Sequence, residues 1–398
     1  MIRRPHLQHR DWLIIGLMAL LLAIGVAFVR SASYRSGPMG EGYYTTSPLK
    51  QVQWIAIGTF LFVGVLFLNY RHLIEHAYVL YGIGLAALAL VLFVGVTNEA
   101  ITARRWLPFG PVRIQPSEFM KILVILALSR YLMYTESHRE LTGLLGPFAL
   151  VVVPMLLIAR EPDLGTALVL LPMVFAMLYV AAARARHLLL IVALFAACVP
   201  AVWFHMRAYQ RERVLAFLTQ DEPHKRLEQY QLDQSKVAIG SGGLFGKGLE
   251  HGSQNRLNFI PAKTRNNDFI FAVICEEWGF VGANFVLALF FALFALCLRM
   301  AEEVNHPGGR LIVVGVVTML GTQVIVNAAM AAGQVPIVGL TLPLISYGGS
   351  SLVSSFLGLA LVVNVSVYKR IALAGDDFDP EAEARREMAP MPEETFMR

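Results

Sequence analysis

Ten stretches of this 398-residue chain are apolar enough, and nearly all long enough, to cross a hydrocarbon core, which takes about 20 residues in a helix. They run at roughly 12–30, 50–68, 73–97, 116–134, 143–159, 163–182, 188–206, 269–298, 310–333 and 340–367. In lipid every backbone N–H and C=O must be bonded within the protein, so such runs fold as helices. With 56% hydrophobic and 15% charged residues, the composition is that of a multi-pass membrane protein, not a soluble domain. The expected fold is an all-α polytopic membrane protein with ten transmembrane helices and one large loop between helices 7 and 8.

The first run follows Arg3, Arg4 and Arg10 and precedes Ser31-Ala32-Ser33, which raises a cleaved signal peptide. The run is too long for one, and Arg30 abuts the would-be cleavage site, so an uncleaved signal anchor is expected. With the N-terminus inside, the short inner segments and span ends carry Arg3, Arg4, Arg10, Arg71, Arg130, Arg139, Arg184, Arg186, Arg299, Arg310, Lys369 and Arg370. The short outer ones carry fewer: Arg30, Arg35, Lys50, Arg104, Arg105, Arg113 and Arg160. Both termini are therefore expected in the cytoplasm. The chain divides into a cytoplasmic segment (1–11), a membrane domain (12–370) with an outer loop (207–267), and a tail (371–398) expected to be disordered. Cys198, Cys275 and Cys297 all lie in apolar runs, without metal or disulfide spacing. No repeat or nucleic-acid motif is present.

The chemistry collects at the outer ends of the spans. Asp268 stands between the loop and an apolar helix starting at Phe269, where unpaired N–H groups favour a carboxylate; it reads either as a helix cap or as a reactive group. Glu118 and Lys121, three apart at a helix start after Pro116, can pair on one face, as a structural bridge or a cavity wall. Beside them Arg104, Arg105, Trp106 and Arg113 offer guanidinium groups suited to phosphate oxygens, although Trp106 equally suits an interfacial anchor. Arg211 and Arg213, at the start of the large loop, either complete such a clamp or are helix-surface charges. In Arg160-Glu161-Pro162-Asp163 a capped turn is expected, with Asp163 as N-cap. Glu276 and Glu277 face away from Asp268 on a regular helix and read as structural. Pro336, Pro343, Gly348 and Gly349 interrupt the last run, a pattern tolerated beside a cavity or for close helix packing.

The segments ARRWLPFGPVRIQPSEFMK, EPDLGTAL, YQRERV, QSKVAIGSGGLFGKG, NDFIFAVICEEWGFVG and PIVGLTLPLISYGGSSL span most of the chain. On them the chain resembles the SEDS family (RodA, FtsW, SpoVE), and its elongation-phase RodA branch in particular. The resemblance implies ten membrane helices, a large loop between the seventh and eighth, and Asp268 as catalytic aspartate. It also implies substrate-cavity roles for Arg105, Trp106, Arg113, Glu118, Lys121, Asp163, Arg211 and Arg213. It implies polymerisation of lipid II on the outer face during cell elongation, a divalent cation (Mg or Mn) with ligands unknown, and partners in a class B penicillin-binding protein and the elongation machinery. The chain departs from the family pattern in places, among them Asn98-Glu99-Ala100-Ile101-Thr102-Ala103, where an Asn-Gly stretch is common before the Arg-Arg-Trp motif. Pro261 is followed by Ala262 where a glutamate is usual, with two extra residues before Asp268, and Asn267 replaces a threonine.

The expected reaction is inverting glycosyl transfer. Asp268 takes the proton of an acceptor hydroxyl, the arginines or Lys121 steady a leaving diphosphate, and no second carboxylic acid is needed. The rivals are a flippase for lipid-linked precursors, for which interrupted helices also speak, and a non-catalytic scaffold for a transpeptidase, in which Asp268 is only a cap.

Overall fold

The computed structural model describes residues 7–36, 42–44, 46–98, 101–110, 112–205, 211, 215, 227–256, 259 and 265–368. All ten apolar runs are helical over most of their length. In chain order the helices are α1 His9–Ala32, α2 Ser47–Leu66, the short α3 Tyr70–Glu75, α4 Ala77–Val94, α5 Pro116–Tyr134, α6 Leu145–Arg160, α7 Leu164–Val180 and α8 Ala185–His205. After them come two loop helices, α9 Leu227–Gly242 and α10 Ser253–Arg256, and then α11 Ile270–Glu302, α12 Pro307–Ala331 and α13 Gly349–Tyr368. Seven helices of the described residues are by themselves long and apolar enough to cross a membrane, while α7 and the first part of α8 are shorter apolar helices. The all-helical, multi-pass character expected from the sequence holds. Two small antiparallel sheets, not anticipated, decorate it: β1 Tyr34–Ser36 with β2 Gly42–Tyr44, and β3 Val96–Asn98, β4 Ile101–Phe109 and β5 Val112–Ile114.

The innermost element is α13, apolar on nearly every side, as a helix surrounded by other helices must be. It packs on α2, α5 and α12, while α12 also packs on α5, α7 and α11. Small residues set the close approaches. A Cβ on Gly58 of α2 would run into the Phe356 ring of α13, and one on Gly25 of α1 would lie 2.8 Å from the Leu344 carbonyl oxygen.

Two of the expected spans are interrupted. The last was expected from 340, but residues 332–348 are irregular and the helix starts at Gly349. Pro336 and Pro343 lack the N–H a helix needs, and Gly339 takes φ +73°. The second break is at Gly279 inside α11, at φ 66° and ψ −165°, a conformation open essentially to glycine alone. There the glycine-rich turn at 243–248 inserts and pairs with the freed backbone. Phe280 and Val281 donate to the carbonyls of Gly243 and Leu244 at 2.9 and 3.0 Å, and Lys247 and Gly248 donate to those of Glu276 and Glu277 at 3.0 and 2.9 Å. Every strand-like bond satisfies a group that the break would otherwise leave bare in an apolar surrounding.

The structural role expected for Glu276 and Glu277 holds. Lys247 Nζ donates to Glu276 Oε1 at 2.7 Å and also to the hydroxyls of Ser241 and Ser253, while Ser31 of α1 donates to Glu277. These bonds fasten the 241–253 part of the large loop, and the end of α1, to α11. The stretch Pro261–Thr264, where the sequence departs from the family pattern, and the tail 371–398 lie outside the described residues.

Candidate functional site

The N-terminal ends of α5, α7, α11 and α13 meet the C-terminal ends of α1 and α12 on one side of the bundle. Four helix starts on one membrane face give that face a positive potential from backbone dipoles alone, favourable to an anionic ligand.

Asp268 belongs to a short turn, 265–269, ahead of α11. The helix N-cap is Phe269, and Asp268 stands one residue ahead of it. The turn is fixed from two sides. Arg265, fully buried, donates from Nε and a terminal nitrogen to the carbonyls of Ala32 and Tyr34 at 2.9 and 3.1 Å, which ties the turn to the end of α1. On the other side, Tyr347 N donates to Asn266 O at 2.9 Å and Ser346 Oγ to Asn267 O at 2.6 Å. Asn327 of α12 donates to Asp268 O at 2.9 Å. The backbone on both sides of Asp268 is thereby held, and its half-buried side chain lies beside Gly339: a Cβ on that glycine would stand 3.6 Å from Asp268 Oδ2.

Asp163 is the N-cap of α7, as expected, with Thr166 N at 3.4 Å from Oδ1 and Thr166 Oγ1 donating to Oδ2 at 2.9 Å. The same Oδ2 accepts Gln115 Nε2 at 2.8 Å and lies 3.4 Å from Ser117 Oγ, so the starts of α5 and α7 share this carboxylate. One turn along α5, Lys121 Nζ and Glu118 Oε2 are 2.9 Å apart, with side chains 1% and 8% exposed. The expected pair forms, and its burial makes it part of the interior. Ser350 and Ser354, one helical turn apart on α13, bond Gln115 N and Glu118 O at 3.0 and 2.9 Å.

Arg105 sits at a bulge in the β3–β4 ladder: Val96 opposes Trp106 and Thr97 opposes Arg104, leaving Arg105 without a partner on β3. From there it reaches the α6–α7 turn and donates to the main-chain carbonyls of Glu161, at 3.1 Å, and Pro162. Arg105 therefore clasps the turn that carries Asp163. Arg104 turns back to the carbonyls of Leu92 and Phe93. Trp106 is half-buried on β4 and Arg113, opposite Pro108 on β5, is exposed. Arg211 donates to Phe204 O at 2.6 Å, at the end of α8; Arg213 lies outside the described residues.

Glu161, read from the sequence only as part of a turn, is 1% exposed, and neither of its carboxyl oxygens has a hydrogen-bond partner. Burial, reinforced by the negative charge of Asp163 and opposed by Arg105, pushes its carboxyl up to about 9. The Asp163 turn and the Asp268 turn are neighbours through Val338–Leu340. A Cβ on Gly165 would lie 2.5 Å from Val338 O and 3.0 Å from the Leu340 side chain, and Gly339 faces Asp268. The Asp268 turn and the start of α7 thus both meet one irregular segment, while Arg105 holds the turn of Asp163 and Glu118 is tied to α13 through Ser354. Asn327, Ser346, Gln115 and Arg265, which hold them there, were visible beforehand only as polar residues in or beside apolar runs.

This arrangement defines a polytopic membrane protein with a polar, carboxylate-lined site at one membrane face. The chain belongs to the FtsW/RodA/SpoVE cell cycle protein family, whose pattern it matches over residues 11–371. It is 35% identical to peptidoglycan glycosyltransferase MrdB of Escherichia coli K12 over 364 residues, 91% of this chain and 95% of that one. To stage V sporulation protein E of Bacillus subtilis it is 32% identical, over 90% of this chain and 98% of the relative. Among solved structures it is similar to a chain of a peptidoglycan synthase complex studied for its coordination of polymerization and crosslinking, at TM-score 0.75 and 35% identity, covering 92% of this chain and 98% of that chain. The rod shape determining protein RodA of Thermus thermophilus superposes at TM-score 0.65 with 33% identity and the same coverage.

Proposed function

We propose that this chain is a peptidoglycan glycosyltransferase that polymerises lipid II on the outer face of a bacterial inner membrane during cell elongation, with Asp268 as general base. The observation that carries the reading is the immobilised turn of Asp268, held through Ala32, Tyr34, Asn327, Ser346 and Tyr347 against the irregular segment that also contacts the Asp163 turn. A base acts only within hydrogen-bond reach of the proton it removes, and a turn fixed on both sides keeps it there.

In this reading all ten apolar helices cross the membrane and both termini are cytoplasmic. Asp268 accepts the proton of the acceptor sugar hydroxyl as that oxygen attacks the anomeric carbon of the donor, and the lipid diphosphate leaves with the bonding electrons. Lys121 spends one of its three N–H donors on Glu118, which leaves donors for a phosphate oxygen. The helix starts of α5, α7 and α11 add fixed positive dipole ends at the same face. Arg105, with its donors on the α6–α7 turn, acts by shaping that turn. Arg113, exposed on β5, presents a second guanidinium to substrate. A divalent cation, when bound, adds charge stabilisation at the leaving group. A class B penicillin-binding protein is the partner that crosslinks the product.

The test is to supply purified protein and its transpeptidase partner with lipid II in vesicles and follow both glycan strands and transbilayer movement of labelled lipid. Strands with release of the lipid diphosphate support the reading. Movement of lipid without strands makes it a flippase, and neither makes it a scaffold.

A further inference from the structure

A groove of about 480 Å³ opens sideways between α4 and α6, with Tyr131 of α5 at its back, and its walls are almost wholly apolar. The sequence builds it. Pro154 inside α6 has no N–H to give the Leu150 carbonyl, the acceptor four residues back. Tyr81 of α4 donates to that carbonyl instead, at 3.0 Å, so a side chain ties α4 to α6 where the helix bond is missing. Gly146, one turn before Leu150, lets the Tyr131 ring lie against α6, since a Cβ there would strike the Tyr131 hydroxyl. The groove lies towards the membrane face opposite the Asp268 turn. α5 starts at Pro116, beside Asp163, and Arg130 stands 14 residues further on (116 to 130), about 21 Å along the axis. The guanidinium carbon of Arg130 is 5.1 Å from the centre of the Tyr78 ring, which lines the groove. Arg130 Nη1 donates to Ile74 O at 3.1 Å, and a guanidinium has five N–H donors in all. Glu75, on the same side, lies 2.9 Å from His72 Nδ1 and so has a partner of its own.

We propose that this groove is a binding site for one phospholipid of net negative charge, with an acyl chain between α4 and α6 and the phosphate on Arg130. An unfilled apolar hollow forfeits the contacts of every atom that lines it, and beside a multi-pass chain the matter at hand to fill it is lipid. The volume lies within the range of ligand sites. A guanidinium matches phosphate oxygens, and Tyr78 beside it has the apolar body and polar tip suited to the headgroup level. Charge selects the headgroup. A basic group between membrane helices draws an anionic lipid, whereas a zwitterionic one brings its own ammonium towards the guanidinium. Because α6 runs from this groove to the turn of Glu161 and Asp163, the bound lipid braces a helix that ends at the site on the other face. The proposal rests on the multi-pass fold and not on the glycosyltransferase reading.

The experiment titrates the full-length protein in detergent with dioleoyl phosphatidylglycerol or dioleoyl phosphatidylcholine and counts bound lipid by native mass spectrometry. Wild type is expected to hold one phosphatidylglycerol per chain and to bind phosphatidylcholine about five-fold more weakly, or worse. Arg130→Gln is expected to bind the two lipids equally. Ala149→Trp, which fills the groove from its α6 wall, is expected to lose about five-fold or more in phosphatidylglycerol affinity. Ile325→Trp, with the same ring at an exposed position of α12, is expected to bind as wild type does. Equal binding of the two lipids by wild type means surrounding lipid only and overturns the site. Unchanged phosphatidylglycerol binding by Ala149→Trp, or a preference that survives in Arg130→Gln, overturns it as well. A mass of two chains without lipid, lost in Ala149→Trp, overturns it in favour of a second copy in the groove. Should Ala149→Trp fail to fold, Val153→Trp on the same wall takes its place, with weaker binding in support and unchanged binding against.

Discussion

The side-chain amide of Asn327 donates to the main-chain carbonyl of Asp268 at 2.9 Å and to that of Leu340 at 2.6 Å. One buried residue of α12 therefore holds together the turn that carries the proposed base and the irregular segment that faces it. Replacing Asn327 with Leu keeps the branched side-chain skeleton, with somewhat more bulk, but removes both donors. A buried carbonyl left without its donor costs about 1–3 kcal/mol. The expected outcome is a protein that still folds and still binds its transpeptidase partner, with polymerisation reduced about ten-fold or more. Retention of full rate would show that the Asp268 turn does not depend on this bond.

The pair Glu118–Lys121 separates a structural role from a substrate role. Lys121→Met leaves Glu118 buried and unpaired, a change that typically costs about 3–5 kcal/mol, and is expected to lower the unfolding temperature sharply. Adding Glu118→Gln removes the orphaned charge and is expected to recover most of that stability. If the double variant regains stability but not polymerisation, the ammonium acts on substrate; recovery of both makes the pair a structural bridge.

At Gly279 the backbone takes φ 66° and ψ −165°, and a Cβ there would strike the Gly246 nitrogen and stand 2.6 Å from Leu244 O. Gly279→Ala is expected to expel the glycine-rich turn from α11, at a cost of at least about 1–3 kcal/mol from strain alone. Limited proteolysis checks this: cleavage within 240–256 is expected to accelerate in the variant and not in wild type.

Gly165 approaches the irregular segment so closely that a methyl group has no room beside Val338 O. Gly165→Ala is expected to shift Val338–Leu340 and to depress polymerisation more than it depresses thermal stability. Gly84→Ala serves as comparison, since its neighbours there are the flexible ends of Met120 and Leu123.

The helices were legible in the sequence because lipid allows apolar runs little else. The two breaks were legible only in part. Pro336, Pro343, Gly348 and Gly349 announced irregular backbone near the last span, although the span itself was expected to begin at 340 and the helix begins at Gly349. Gly279, a lone glycine in an apolar run, gave no hint that a turn from 243–248 would enter there, because that pairing joins residues some 30 apart. Of the local contacts, the Asp163 cap and the Glu118–Lys121 pair were read from sequence spacing, and both form. Arg105 was expected to face phosphate, and instead its donors grip the Glu161–Pro162 carbonyls, a contact that depends on the β4 bulge and so on tertiary structure. Glu161 passed as a turn residue, since its sequence neighbours could not reveal that both oxygens would be buried without partners.

The central claim is that Asp268 removes a proton during glycosyl transfer, and the direct measurement is lipid II polymerisation by wild type and Asp268→Asn under single-turnover conditions with the partner bound. Asparagine matches aspartate in size and can keep local hydrogen bonds, so the turn is spared while the base is lost. The account predicts a rate lower by about 10²–10⁴-fold, with the unfolding temperature and partner binding unchanged. Polymerisation by the variant at the wild-type rate would contradict it.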